Sequence, residues 1–239
     1  MENKRPLMMA GAAAALIAAG AALWYSRRPS PAEKQQAPPQ AAAPKPADAP
    51  LSPAEKSDPQ MRKDLASLSP MPEWARWLAA SDLLDRAVVV VDNVAEDVSP
   101  RKQLDFIQVP PLESEKLDTA RYDQVAAVIG SIDAKGFAQV VRDLHPLLES
   151  AYHKLGYPDR KFDQVAAKAL QRIVDAPVVD RAPRLAPKGA HNFAFADPKL
   201  EALGPVEKLL LRMGPKNTRI LQAKAREVAA ALDLRIAQH

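Results

Sequence analysis

The sequence predicts an all-α protein whose folded part is one compact domain of about six helices. From residue 83 onward, apolar residues recur at spacings of three and four, which is the period of an amphipathic helix. Most Pro and Gly residues of this part lie between the periodic stretches. The domain is predicted at residues 71–239, and about 170 residues are enough to bury a single core.

The first predicted helices are recognised by their apolar stripes and their N-terminal caps. One covers residues 83–98, with Ser81 or Asp82 available as the N-cap. Another covers residues 119–131 and follows Asp118, which is a suitable cap.

The remaining helices follow in the second half of the chain. The clearest amphipathic stripe begins after Asp133 and ends at Gly156-Tyr157-Pro158. Asp163 is predicted to cap the next helix, which ends before Pro177. Two closing helices are predicted at residues 205–213 and 216–238, with Gly214-Pro215 between them.

Two segments do not have a helical pattern. Residues 101–111, RKQLDFIQVPP, alternate in polarity and then reach two prolines, which predicts an extended segment or a short edge strand. Residues 191–196, HNFAFA, suggest a second short strand. The helical domain therefore has room for one minor β pair.

The N-terminus, residues 1–28, predicts a transmembrane anchor. Residues 7–25, from Leu7 to Tyr25, contain no charged side chain, and basic residues lie on both sides. At about 1.5 Å per residue, this length is just enough to cross a bilayer core of about 30 Å. The alternative is a cleaved signal, since small residues occur at Gly20-Ala21-Ala22. We expect the short N-terminus inside and the domain in the periplasm, although the flanking charges are nearly balanced.

Residues 29–70 predict a disordered linker. Pro, Ala, Lys, Gln, Ser and Asp dominate this stretch, as in APPQAAAPKPADAP. It has too few large apolar side chains to offset the entropy of ordering, so we expect an extended tether without any element of the fold.

The composition excludes several classes of site. The chain has no Cys, so a disulfide framework, thiol catalysis and Cys-ligated metal sites are excluded. No phosphate-binding glycine motif and no hydrolase signature occurs in it. We therefore predict no cofactor and, on balance, no enzymatic activity.

One histidine pattern offers a weak metal hypothesis. His145, Glu149 and His153 follow one another at intervals of four on one predicted helix, and residues four apart share a helix face. The two histidines are two turns apart, so a third ligand such as His191 would be needed. An exposed helix face is the preferred interpretation, and an envelope metal-dependent hydrolase is the alternative.

Polar blocks near the helix ends are the better interaction candidates. Arg121-Tyr122-Asp123 combines a guanidinium, a hydroxyl and a carboxylate, which can form a half-buried network that organises packing or a binding groove. Arg212 and Asn217 lie in a similar block. We select these five residues as interaction candidates.

A basic run near the C-terminus suggests another alternative. Six Lys and Arg residues and no acid occur in residues 208–226, a density that can bind anionic lipid or nucleic acid. The domain as a whole carries nearly balanced charges, and the run lacks the interleaved aromatic residues of single-strand binders. A solvated face with some ion pairs is therefore preferred, and nucleic-acid binding is not expected.

Five blocks together resemble a known bacterial family. They are VVDN at residues 90–93, RYD at 121–123, HPLLESAYHKLGYP at 145–158, ADPKLEAL at 196–203 and LLLRMGPKN at 209–217. The family is catalogued as domain of unknown function 3014. The resemblance implies an envelope-anchored protein with one helical domain, and it transfers no catalytic residue.

Together these features predict an uncharacterised single-pass protein of the bacterial inner membrane. Its helical domain is expected to be a binding module for an envelope protein or polymer.

Overall fold

The computed structural model describes residues 53–112, 114–181, 183–188 and 192–237. Eight α-helices form most of this part: α1 (Pro53–Leu65), α2 (Pro72–Leu78), α3 (Leu83–Ala95), α4 (Asp123–Ser131), α5 (Ala134–Lys154), α6 (Phe162–Asp175), α7 (Pro198–Glu201) and α8 (Pro205–Ala231). Strands β1 (Leu185–Pro187) and β2 (Phe193–Phe195) pair antiparallel, with Leu185 opposite Phe195. The described part is therefore mostly helical, as the sequence predicts. Strand β2 lies in the predicted strand at residues 191–196, whereas β1 was not predicted.

Helices α3 and α8 lie at the centre of the packing. Helix α8 packs against α4, α5 and α6, whereas α3 packs against α1, α5 and α6. A smaller apolar cluster, formed by Leu112, Leu117, Leu185, Phe195 and Leu211, holds the strand pair against α8. This second cluster places β2 beside the middle of α8.

Helix α1 corrects the prediction that residues 29–70 are a linker without folded elements. Met61, Leu65 and Leu68 are buried in the main core. Asp58 is also buried, and its Oδ2 accepts a hydrogen bond of 3.2 Å from the backbone N–H of Leu83, the first residue of α3. Asp82 is the N-cap residue of α3, as the sequence allows, but its side chain makes no capping hydrogen bond. The side chain of Asp58, 25 positions earlier, accepts the hydrogen bond instead.

Helix α2 is a further addition to the predicted elements. Its Trp74 and Trp77 are both buried. The indole N–H of Trp74 donates a 2.7 Å hydrogen bond to the Leu65 carbonyl, which joins α2 to the end of α1. The folded unit therefore includes residues on the N-terminal side of the predicted domain boundary.

The first part of the segment predicted as extended or as a short edge strand is helical instead. Residues Pro100–Leu104 form a short 3₁₀ helix, and Leu104, Phe106 and Ile107 are buried. A 3₁₀ turn places residues three apart on one face, so Leu104 and Ile107 point into the core together. The period of two residues that the alternating pattern predicted is therefore wrong here, because the buried Leu104 and Ile107 are three residues apart.

Two helix boundaries also differ from the prediction. Asp163 does not cap α6; the backbone N–H of Phe162 instead donates to Glu149 Oε2 at 2.7 Å. The two predicted closing helices are the two halves of α8, which meet at the non-helical Gly214 as predicted, but the second half ends at Ala231 and not at residue 238.

Within the described ranges, no helix is both long and apolar enough to span a membrane. The predicted anchor at residues 7–25 lies outside those ranges, as does the first part of the predicted linker.

Gln222 in α8 closes the C-terminal end of α6. Its Nε2 donates to the carbonyl oxygens of Ile173, Val174 and Ala176 at 2.9–3.3 Å, and the side chain is buried. We expect Gln222→Leu to destabilise the domain by about 2 kcal/mol, because it leaves buried carbonyl groups without a donor. Thermal unfolding measures the effect. Gln124→Leu, on the exposed side of α4, is the control and should be nearly neutral; equal effects would contradict this assignment.

Candidate anion-binding site

Three of the five sequence blocks meet where α8 kinks beside the start of α4. Gly214 has φ 79° and ψ 166°, so the backbone leaves the helical conformation there. A Cβ atom at this position would lie 2.6 Å from Thr119 Cγ2, which is closer than such atoms can approach. The backbone at the kink therefore packs closely against Thr119, which precedes α4.

Asn217 fastens this kink. Its Nδ2 donates to the carbonyl oxygens of Thr119 at 3.2 Å and Met213 at 3.0 Å, and to Asp123 Oδ1 at 2.9 Å. Its Oδ1 is buried without a hydrogen-bond partner among the described atoms. Thr218 bridges the same kink by donating from Oγ1 to the Leu210 carbonyl at 2.6 Å. The amide of Asn217 is thus used mainly to join α8 to α4.

Asp123 forms an ion pair within the same arrangement. Lys216 Nζ donates to its Oδ2 at 2.7 Å, in addition to the bond from Asn217. These two hydrogen bonds, that from Lys216 first, lower the pKa of Asp123. Asp123 is therefore negatively charged in the folded protein, and its carboxylate binds Lys216 and Asn217 of α8.

The charges of three arginines act on Tyr122. We call Arg101, Arg121 and Arg212 the arginine cluster; they come from the 3₁₀ helix Pro100–Leu104, the 3₁₀ helix Ala120–Tyr122 and α8. The Tyr122 side chain is only 1% exposed. The guanidinium carbon of Arg121 lies 5.3 Å from the centre of the Tyr122 ring. Three separate elements therefore direct positive charge towards one buried phenol.

The strand pair positions Arg212. Its guanidinium lies over the Phe195 ring at 4.7 Å, and its Nη2 donates to the Phe193 carbonyl at 3.1 Å. Strand β2 is itself fixed by Glu201, whose Oε2 accepts a 3.0 Å hydrogen bond from the Phe195 N–H. Glu201 of the ADPKLEAL block thus holds the strand that contacts Arg212 of the LLLRMGPKN block.

Burial controls the electrostatics of the arginine cluster. It raises the pKa of Tyr122, and the charges of Arg121, Arg212 and Arg101 oppose that rise. Burial also lowers the pKa of Arg101 and of Arg121, which Tyr122 partly offsets in both cases. Arg101 makes no hydrogen bond or ion pair with any residue that the structure describes. A half-buried cation in such surroundings is stabilised by an anion.

The five predicted interaction residues fall in this one region. Arg121 and Tyr122 lie in the 3₁₀ helix that precedes α4, and Asp123 is the first residue of α4. Arg212 and Asn217 flank the kink of α8. Sequence reasoning missed Arg101. It lies in the segment that was expected to be extended, and a single Arg in a polar stretch gives no signal of its own.

The histidine stripe on α5 has separate partners. His145 Nε2 lies 3.1 Å from Asp163 Oδ1, and His153 Nε2 lies 3.4 Å from Glu149 Oε1. The other oxygen of Glu149 is the acceptor at the start of α6. No group of three or more metal-ligating side chains occurs among the described residues, and His191 lies outside them. These contacts join α5 to α6 and give the hydrolase hypothesis no further support.

Most of the basic side chains at residues 208–226 form ion pairs with acidic residues. Lys208 contacts Glu201, Lys216 contacts Asp123, Arg219 contacts Asp180, and Lys224 contacts Glu227. Paired charges of this kind favour the predicted solvated face with ion pairs over a surface for nucleic acid or lipid.

A family comparison agrees with this arrangement of blocks. The model for the protein of unknown function DUF3014 matches residues 83–229, which is more than half of the chain. The chain belongs to the DUF3014 family. No curated protein and no solved structure matches it. The DUF3014 match contains all five blocks and the whole arginine cluster, whereas α1 and α2 lie before it.

Proposed function

We propose that this DUF3014 protein is a single-pass, membrane-anchored protein of the bacterial envelope whose helical domain binds an anionic group of an envelope protein or polymer. The observation that carries the proposal is the arginine cluster, in which the Arg121 guanidinium lies 5.3 Å from the Tyr122 ring and the half-buried Arg101 has no ion-pair partner among the described residues. Arg, with its planar fork of donors, is well suited to recognise carboxylates and phosphates.

The chemistry of the cluster favours binding over catalysis. Guanidinium groups keep their proton throughout the physiological pH range, so they can orient and neutralise an anion but cannot relay protons. Burial keeps the Tyr122 phenol protonated as well, so that it too acts as a hydrogen-bonding group.

Arg101 offers the sharpest test of binding. The probes are labelled polyglutamate and labelled polyphosphate, and the readout is fluorescence anisotropy with the full chain in detergent micelles. We expect one polymer to bind and Arg101→Gln to weaken binding at least about tenfold, since a charge-assisted contact contributes about 1.5–3 kcal/mol. The preferred polymer identifies the anion as a carboxylate or a phosphate.

Lys102→Gln is the matched control, because Lys102 is the exposed neighbour of Arg101 in the chain. It should leave binding nearly unchanged. Equal losses in the two variants would indicate unspecific attraction and contradict the proposed site, as would the absence of binding to both polymers.

The membrane anchor is tested separately. Reporters active on only one side of the membrane are fused after Pro50 and after His239, so that α1 stays intact. We expect both positions outside and a full-length chain. Reporter activity inside the cell would refute the periplasmic location, and a shortened chain would identify residues 7–25 as a cleaved signal.

A further inference from the structure

A short segment after the end of α8 packs against the domain surface. Every second residue from Leu232 to Ile236 is half-buried against the main core, whereas Asp233 and Arg235 between them are exposed. An extended chain places successive side chains on opposite sides, so this alternation indicates one face directed towards the core. We call residues 232–237 the covering segment.

The turn at the end of α8 sets the direction of the covering segment. Asp233 has φ 58°, in the left-handed region. The N–H groups of Asp233 and Leu234 donate to the carbonyl oxygens of Ala230 at 3.3 Å and Ala229 at 2.9 Å. These are the two hydrogen bonds of a Schellman motif, in which glycine usually takes the left-handed position. Asp233 therefore holds the turn at a cost in backbone strain.

Two side chains hold the covering segment by its main chain. Arg142 of α5 donates from Nη2 to the Ala231 carbonyl, and the same atom lies 3.3 Å from Asp233 Oδ2. At the other end, Gln171 of α6 accepts a hydrogen bond from the N–H of Ala237 and donates to its carbonyl at 3.5 Å. The covering segment therefore crosses from α5 to α6, two helices that pack mainly on α3 and α8.

The groove under the covering segment is apolar and is not completely filled. Its lining comes from α3, α5, α6 and α8, and it includes Phe137 of α5, Ala169 of α6 and Leu232 of the covering segment. A cavity of about 30 Å³ remains among these side chains. Empty apolar space deprives its lining of dispersion contacts, so a larger side chain in the place of Leu232 would pack better.

We propose that the gap between α5 and α6 is a binding groove for an extended peptide of a partner protein with large apolar side chains at alternate positions, and that the covering segment is its intramolecular competitor. In grooves of this kind, main-chain hydrogen bonds give affinity and pockets for alternate side chains give specificity. Gln171 supplies the main-chain contact, and Arg142 favours an acidic residue in the peptide. The groove shares no residue with the arginine cluster, so it does not depend on the proposed anion site.

A separate peptide can replace each contact of the covering segment. The side chains of Arg142 and Asp233 are 46% and 89% exposed, and such an ion pair contributes little stability. A separate peptide needs no left-handed residue, because it does not have to turn out of α8. It can also place a larger side chain over the cavity than Leu232 does. The covering segment is therefore an occupant that a better-fitting peptide displaces.

The test measures binding of a fluorescein-labelled peptide, LDLRIA, to the full chain in lipid nanodiscs by fluorescence anisotropy. The wild-type chain should bind it weakly, since the covering segment occupies the groove. Combining Leu234→Ser with Ile236→Ser should tighten binding at least about tenfold, because the apparent affinity rises with the fraction of open grooves. Arg235→Ser changes an exposed side chain of the same segment and should leave binding unchanged.

Further measurements assign the binding to the groove. Gln171→Ala, added to the double variant, should weaken binding about fivefold, because it removes the main-chain contact. A peptide with Phe as its first residue should bind more tightly than LDLRIA, and a peptide with Ser at the three aliphatic positions should not bind. These two peptides need only the wild-type chain, so they decide the matter if the double variant does not fold.

Three outcomes would overturn the proposal. The first is equal affinity of the double variant and of Arg235→Ser for LDLRIA. The second is equal affinity of the wild-type chain for the three peptides. The third is displacement of labelled LDLRIA by dodecanoate but not by the unlabelled peptide, which would assign the groove to an acyl chain.

Discussion

Replacing Gly214 by alanine is expected to destabilise the domain by about 3 kcal/mol and to lower the melting temperature by about 6–12 °C. The reason is twofold. The backbone angles of Gly214, φ 79° and ψ 166°, belong to a region that only glycine adopts easily. In addition, the new Cβ would overlap Thr119 Cγ2, which lies 2.6 Å from its position. Calorimetric unfolding of the full chain measures both contributions together.

Gly156→Ala separates strain from overlap. Gly156 also has a positive φ, of 104°, but no atom lies within 4 Å of a Cβ there. We expect it to lose only about 1 kcal/mol. Thr119→Ser removes the nearest contacting atom, so it should recover part of the loss when combined with Gly214→Ala. Equal losses at the two glycines, without recovery, would show that the fit between the kink and Thr119 contributes nothing.

Deleting residues 53–70 from the full chain is expected to abolish cooperative unfolding. The deletion removes Met61, Leu65 and Leu68 from the core. Each such side chain contributes about 2 kcal/mol when buried, so the three together approach the whole stability of an ordinary domain. The deletion also removes Asp58 from the start of α3 and the Leu65 carbonyl from the Trp74 indole. Circular dichroism during heating is the measurement.

A deletion of equal length, residues 31–48, is the control. It lies wholly in the stretch predicted as a linker and should leave the melting temperature unchanged. If the chain that lacks residues 53–70 still melted cooperatively at the original temperature, α1 would be dispensable and the fold would begin near residue 71.

Local patterns predicted the elements that are stabilised by neighbours in the sequence. Helix α5 is the clearest case. Its apolar residues recur at three and four, and Asp133 accepts hydrogen bonds from the N–H groups of Lys135 and Gly136 at its start. Gly156 then follows with a positive φ near its end. Period, cap and stop signal all lie within a short stretch, so a single sequence contains them.

The elements that the sequence did not predict depend on distant partners. Helix α1 is rich in polar residues and contains Pro59, so its composition resembles the tether that precedes it. Only contacts with α3 and α5 make its few apolar residues part of a core. Likewise, no local pattern could show that Asp58, and not Asp82, contacts the first residue of α3.

The candidate site was predictable in part for the same reason. Tyr122 and Asp123 were recognisable because an aromatic and a charged residue adjoin at a predicted helix start. Their partners Arg212 and Asn217 belong to another such block. Arg101 was not recognisable, because its relation to Tyr122 exists only after the segment at residues 100–104 folds back onto α3.

The position of α1 determines how mechanical load enters the domain. Helix α1 is the first described element, so if the chain is anchored as proposed, tension from the anchor would reach α1 before the other described helices. Arg62 in α1 donates to the carbonyl oxygens of Leu78 and Ala80, and Asp58 holds the start of α3. Pulling α1 away would therefore uncover Trp74 and the first turn of α3 while α4, α6 and α8 remained packed. Arg212 lies on α8 and Arg121 directly precedes α4, so these two members of the arginine cluster would keep their positions while α1 separates.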